Sequence, residues 1–285
     1  GQEGASSLRK VDFRTSEILE QTNLEPQYFG EGITLVGDNL YMLTWQSKTA
    51  ADGKEIYLKT FDLEMNEMVG SDILVNSSAS DDQTNPDVAI KADGEFVVVW
   101  QSKNQDGSGE GIFLRRFDAA GFALDAGDVL VNAYTTDDHQ TVPSVAINDS
   151  GEVVVAWQSK GQDNPDGKEG IFAQRVDFDS ASLVGGEIAV TTHTDNDQTA
   201  PSVAIAANGN FVTTWQSKDQ DNDDGQAGVY LQEFAADGIL PDAMVNYLAL
   251  LGWSPGGSGD EVFARGELIK KFSLKKVNSS PAAFD

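Results

Sequence analysis

The chain contains no cysteine and only two histidines, His139 and His193. Disulfides, thiolate nucleophiles and cysteine-based zinc sites are therefore excluded, and little remains for an imidazole metal site or a histidine-dependent triad. Basic residues are scarce too: 19 Lys and Arg stand against 46 Asp and Glu in 285 residues, a formal charge of −27. Such a field repels nucleic-acid phosphates and anionic membrane surfaces, so neither is expected as a partner. It favours solubility and cations. No apolar run approaches the ~18 residues of a membrane-spanning helix. The opening GQEGASSLRK holds no apolar signal core, so no signal peptide is expected in this chain. What is present is 40% hydrophobic and 9% aromatic residues, enough for a sizeable core.

The pattern of those residues is a repeat. The tetrapeptide WQSK begins at Trp45, Trp100, Trp157 and Trp215, at spacings of 55, 57 and 58 residues. Fourteen residues before three of these tryptophans stands a proline: Pro86, Pro143 and Pro201. A short apolar segment follows each proline, then a turn (ADG, NDSG, ANGN), then a second apolar segment that runs into WQSK. After an Asp/Gly-rich loop come EIYLKTFD, GIFLRRFD, GIFAQRVD and GVYLQEFA, and finally ILVN, VLVN, EIAV and AMVN. Four strands per unit at this period predict an all-β fold, a β-propeller of four-stranded antiparallel blades starting near residues 31, 86, 143 and 201. Residues 8–24 match the third and fourth strands alone, LRKVD aligning with LRRFD at 114–118. The plan is thus four full blades plus an N-terminal half-blade, the five-bladed type if the ring closes, with the propeller spanning residues 1–238.

The repeat stops near residue 239. Residues 239–285 hold five acids and five bases, so the whole net charge of −27 lies on the preceding chain. A composition shift of this kind marks a boundary. Pro241 to Leu251 has an early proline, apolar residues at helical spacing and Gly252 at its end, and Glu267 to Lys276 also favours helix, so a C-terminal α-helical segment is expected.

Three resemblances attach to these strings. The middle, about 53–237, resembles the WQS-type propeller repeats of large secreted or surface bacterial proteins, which implies an extracellular or cell-surface location. The string YFGEGITLVGDNLYMLTWQ within 8–46 is similar to glutaminyl cyclases of the plant and bacterial propeller type. The strings AMVNYLALLGWSP and FSLKKVNSSPAAFD resemble glutamyl-tRNA synthetase beyond its ATP-loop motif. The ATP-binding motifs themselves are absent, so aminoacylation is not implied. Three such resemblances in one chain imply a chimera, natural or engineered.

The candidate chemistry is sparse. Glu31 stands fourteen residues before Trp45, in the slot that proline fills elsewhere, and the first strand of a blade lines the central channel. The cyclase resemblance implies an acid/base carboxylate at Glu31 and a substrate-contacting aromatic at Trp45. A partly desolvated glutamate can carry a proton from the attacking amine to departing ammonia. Against this, the remainder of that family's pocket lies beyond the matching segment. Trp100, Trp157 and Trp215, with Pro86, Pro143 and Pro201, read as structural, the tryptophans packing between blades. Gln46, Gln101, Gln158 and Gln216 are expected to bond backbone. Lys48, Lys103, Lys160 and Lys218 could form a ring for an anionic glycan. Asp219, Asp221, Asp223 and Asp224 are the best candidate Ca²⁺ ligands, hard oxygens in an Asp/Asn/Gly loop. They lack the full calcium-loop spacing, and tight-turn chemistry accounts for the same residues. No other cofactor is expected.

The leading reading is a non-enzymatic propeller scaffold or binding module for a glycan or peptide, able to self-associate through an unclosed blade. A glutaminyl-peptide cyclotransferase-like enzyme and a secreted calcium- or glycan-binding adhesion module are the alternatives. The charge imbalance makes a prediction of its own. Like charges repel within about 10 Å at 0.1 M salt, so the unfolding temperature should rise between low and moderate NaCl. A flat response would show carboxylates already neutralised by bound cations.

Overall fold

Segments such as FVVVW at 96–100 and VVVAW at 153–157 are apolar without interruption. A strand with both faces buried has this pattern, whereas a half-exposed one alternates. In the computed structural model these segments are the second strands of antiparallel sheets that pack face to face. The structure describes residues 7–11, 18–23, 30–36, 40–50, 53–61, 72–133, 139–163, 166–193, 195–218 and 227–236.

Strands β1 (Ser7–Val11) and β2 (Ile18–Asn23) form a two-stranded sheet. Strands β3 (Gly30–Val36), β4 (Leu40–Ala50), β5 (Gly53–Phe61) and β6 (Ile73–Leu74) form the next in sequential order. The third consists of β7 (Gln83–Ile90), β8 (Phe96–Lys103), β9 (Glu110–Phe117) and β10 (Val129–Leu130). The fourth consists of β11 (Gln140–Ile147), β12 (Glu152–Lys160), β13 (Glu169–Asp177) and β14 (Ser182–Ala189). The fifth has β15 (Gln198–Ile205), β16 (Phe211–Lys218) and β17 (Ala227–Phe234). Among the described residues the all-β expectation and the antiparallel meander are both observed. Strand β14 extends well upstream of the EIAV segment, because residues 178–181 make a tight turn directly after β13. The AMVN segment, the boundary near 239 and the expected C-terminal helices lie outside the described residues.

The turns between first and second strands are built alike. Gly94, Gly151 and Gly209 have φ of 93°, 82° and 81°, and their N–H groups bond the carbonyls of Lys91, Asn148 and Ala206. A side chain is strained at that φ, so glycine closes a three-residue hairpin loop.

Packing is directional. One face of each sheet carries the aromatic residues, and the other carries the aliphatic ones. Trp100, Phe96, Phe113 and Phe117 cluster with Ile56, Leu58 and Val75 of the preceding sheet. Trp157, Phe172 and Phe178 cluster with Val97, Val99, Ile112 and Leu114. Trp215, Phe211 and Phe234 cluster with Val154, Ala156, Ile171 and Ala173. The first strands β3, β7, β11 and β15 neighbour one another in turn, so the sheets fan about their inner edges.

Trp157 is completely buried in this way. Trp157→Ala should cost about 3–5 kcal/mol, the range for emptying a large aromatic site. Denaturant unfolding measures it, and a loss below about 1 kcal/mol would mean that the ring does little packing.

Candidate functional site

The inner, upper ends of the sheets bring the singled-out residues together. In three sheets the proline sits inside the first strand, at a bulge. Thr84 pairs with Gln101 and Asp87 with Val99, so Asn85 and Pro86 together face Trp100. The same interruption occurs between Thr141 and Ser144 and between Thr199 and Ser202. The residue before each proline, Asn85, Val142 or Ala200, has φ of 52°. A β-branched residue in that region is strained, and proline disfavours helical backbone before it.

Side chains from the preceding sheet hold this conformation. The N–H of Val142 donates to Oε1 of Gln101 at 3.0 Å, and that of Ala200 donates to Oε1 of Gln158 at 2.7 Å. Gln101 and Gln158 therefore bond backbone, as expected, but in the following sheet. A second link lies three residues on. The carboxylate of Asp87 accepts the N–H of Val145 at 2.9 Å, and Oγ of Ser144 accepts that of Val203 at 3.3 Å. The serine of the tetrapeptide starts a further chain. Ser102 donates to Gln105 at 2.6 Å, and Gln105 to Asp128 at 2.9 Å. Asp128 in turn accepts the N–H groups of Ser77 and Ser78, one sheet back. Ser159, Gln162, Glu187 and Ala133 repeat the arrangement. Lys103, Lys160 and Lys218 end their strands exposed.

Glu31 falls at the equivalent bulge of β3, where Gly30 pairs with Trp45 and Gly32 with Thr44. The backbone thus puts Glu31 where Pro86 stands in the next sheet. Trp45 is 1% exposed, and its ring stacks on Tyr57 with centroids 6.0 Å apart. Trp100 on Phe113 and Trp215 on Tyr230 are the same contact, at 6.5 and 6.2 Å. Trp45 therefore occupies the same stacked, buried position as the other tryptophans of the repeat.

Asp219, Asp221, Asp223 and Asp224 lie outside the described residues. Two earlier loops have Asp106 and Asp163 at the matching place. Each carboxylate lies against a glycine of the third strand, Gly111 or Gly170, where a Cβ would collide with it. Burial holds the carboxyl of Asp163 above its ordinary range. Among the described residues no three His, Asp or Glu side chains gather as metal ligands. His139, where Asp82 and Asp197 stand in the flanking loops, pairs with Glu110.

Two arginines were not singled out from the sequence. Arg116 bonds the Phe178 carbonyl, and Arg175 donates to the carbonyls of Gly209 and Ala235 at 3.0 and 2.9 Å. Both clamp the next sheet. Their shared place in LRRFD and AQRVD was the available signal.

Comparison with known proteins gives a composite result. Residues 1–65 match the family model described as glutamine cyclotransferase. Over 57 residues, 20% of the chain, it is 51% identical to the glutamate–tRNA ligase of Aquifex aeolicus. Over 56 residues it is 50% identical to that of Lactobacillus johnsonii. The chain spans about an eighth of those relatives, 12% and 11% of their lengths. In structure it resembles an α-L-arabinanase of Penicillium chrysogenum, with TM-score 0.53 and 13% identity, over 83% of this chain and 74% of the other. It also resembles a GH93 α-L-arabinofuranosidase of Fusarium graminearum, with TM-score 0.52 and 14% identity, over 82% and 73%. At such identities the likeness is one of fold, and that fold is β-propeller-like.

Asp87 supplies a pH test of the inter-sheet links. Burial raises its pKa above the ordinary 3.8, outweighing the N–H groups of Val145 and Val88 that oppose the shift. A carboxyl raised on folding stabilises fully below its unfolded pKa, and the contribution is lost as pH rises through the folded value. Asp87→Asn keeps an acceptor oxygen without the charge. Stability of the native protein relative to this variant should fall as pH climbs from about 3 to 7, read from urea midpoints.

Proposed function

We propose that the chain is a non-enzymatic propeller scaffold or binding module, of five-bladed plan with four full blades and an N-terminal half-blade. One observation carries this reading: the tryptophans of the recurrent tetrapeptide, and its glutamines at two junctions, are engaged in joining sheets. The indoles of Trp45, Trp100, Trp157 and Trp215 are buried, and Gln101 and Gln158 hold the next sheet's backbone. The exposed lysines Lys103, Lys160 and Lys218 support an anionic glycan as one class of ligand, and the secreted-repeat resemblance supports an extracellular setting. The separate matches to a cyclotransferase model and to tRNA ligases support a composite origin.

The second reading is a glutaminyl-peptide cyclotransferase-like enzyme, favoured by the match over residues 1–65. Under that reading Glu31 moves the proton from the α-amine to the departing ammonia. Incubation with a peptide that begins with glutamine, followed by mass spectrometry, separates the two. The scaffold reading expects cyclisation no faster than the uncatalysed background, unchanged in Glu31→Gln. Turnover that Glu31→Gln abolishes would establish the enzyme and sink the scaffold.

A further inference from the structure

The outward face of β15–β17 differs from the same face of the sheets before it. Ile56, Ile112 and Ile171 share one register position, opposite Gln46, Gln101 and Gln158, and each is buried by the sheet that follows. Val229 holds that position opposite Gln216 and is 78% exposed. Leu231, at the place of the buried Leu58, Leu114 and Ala173, is 59% exposed. Gln216 and Ser202, at the places of the linking Gln158 and Ser144, are exposed too. Toward the hairpin end of the face opens a cavity of about 340 Å³, whose lining includes Ala204, Val212, Glu233 and Phe234.

The covered junctions show what such a place receives. Phe178 lies with Ala89 and Val97, and its ring faces the Arg116 guanidinium at 5.8 Å. Phe211 lies with Ala146 and Val154, and its ring faces the Arg175 guanidinium at 4.8 Å. Ala204 and Val212 are the equivalent pair, so the cavity stands where an aromatic ring of the next sheet stands elsewhere. Around that ring the cover adds the tryptophan of a second strand, Trp157 or Trp215. It adds also two N–H groups of a first strand, at 142 and 145 or at 200 and 203. One charge is reversed: Glu233 occupies the clamp position of Arg116 and Arg175. A guanidinium attracts the negative face of a ring and donates to carbonyls. A carboxylate does neither, and it calls for a cation or an N–H donor in their place.

We propose that this face binds a strand–turn–strand unit of the same repeat type carried by another polypeptide, with aromatic residues on its second strand and a lysine or arginine at its hairpin. The first-strand N–H groups of that unit meet Gln216 and Ser202, an aromatic ring enters the cavity, and the cation meets Glu233. The covered junctions of this chain supply the pattern for the contact, and Glu233 supplies the difference in charge. The tryptophans of this chain at 45, 100, 157 and 215 are already enclosed, so a second folded copy has no such unit to offer. The inference goes beyond the proposed function, and the outcome of the cyclisation assay does not bear on it.

The probe is a peptide of residues 198–218, the first two strands of the last sheet with Pro201, Phe211 and Trp215. It is cyclised by an Asn-Gly turn that joins its ends. A second form of the peptide carries Asn208→Lys, next to the Gly209 carbonyl that Arg175 takes in the folded chain. Titration calorimetry measures the binding of each form to the full chain. The native chain should bind the lysine form at least about tenfold more tightly than the unaltered form, and Glu233→Arg should reverse that order. Leu231→Asp, at a position already exposed, should abolish the binding of both. Equal binding of the two forms, survival of binding in Leu231→Asp, or no binding of either form below about 1 mM overturns the proposal. The absence of native cysteine gives a second readout. In Leu231→Cys, alkylation should run at the rate of an open thiol and slow at least about tenfold when the lysine form is added. A thiol already protected in the chain alone overturns the proposal, and sedimentation then assigns the cover to a second copy or to the chain's own remaining residues.

Discussion

Everything in this molecule depends on burying the aromatic face of one sheet in the aliphatic face of the sheet before it. A single antiparallel sheet of three or four short strands cannot exclude water from both of its faces. Here Trp100, Trp157 and Trp215 each enter a surface of Ile, Leu, Val and Ala contributed by a neighbour. Buried apolar area is worth roughly 25 cal/mol per Å², and an aromatic residue brings about 150–250 Å² of it. The hydrogen bonds at the inner edge add less energy but fix the angle and register of each junction. Because Gln101 and Gln158 take N–H groups at strained backbone positions, the junction also holds Val142 and Ala200 in a conformation they would not adopt alone.

Much of the fold was legible in the sequence, for a physical reason. Four strands that repeat the same buried pattern must repeat the same residues, and WQSK with a proline fourteen residues upstream marks each unit. The packing role of the tryptophans followed from recurrence alone. Other features left no local trace. The backbone partner of Gln101 is 41 residues away and that of Gln158 is 42, so neither of these links belongs to any motif window. The proline looked like the start of each unit, yet the strands begin three residues earlier, at Gln83, Gln140 and Gln198. A bulge lets the strand pass through a residue that cannot donate. The enclosure of Trp45 follows from the tetrapeptide that it shares with the other repeats.

The candidate site is less legible than the fold because so few groups are free to be one. Asp87, Gln101, Ser102, Asp128 and Glu187 are polar residues near the inner ends of the sheets, and each is bound to a neighbouring sheet or to a loop that reaches one. Acidic loops that suggested cation ligands at the sequence level show, at Asp106 and Asp163, carboxylates packed against glycine backbone. These inner polar residues are structural, which follows from joining the same sheet to itself repeatedly.

The two unlike faces of each sheet also give the molecule a direction in time. A ribosome delivers the chain from its N-terminus, at about 5–20 residues per second. Each new sheet therefore emerges with its aromatic face ready for an aliphatic face that already exists. Its own aliphatic face waits some three to ten seconds for the next arrival. The contacts between sheets described here reach back by one unit, so the separation along the chain stays constant from one junction to the next, and growth resembles the stepwise extension of a repeat array. Reversing the faces would leave every nascent sheet displaying its tryptophans to the cell until the next one was made.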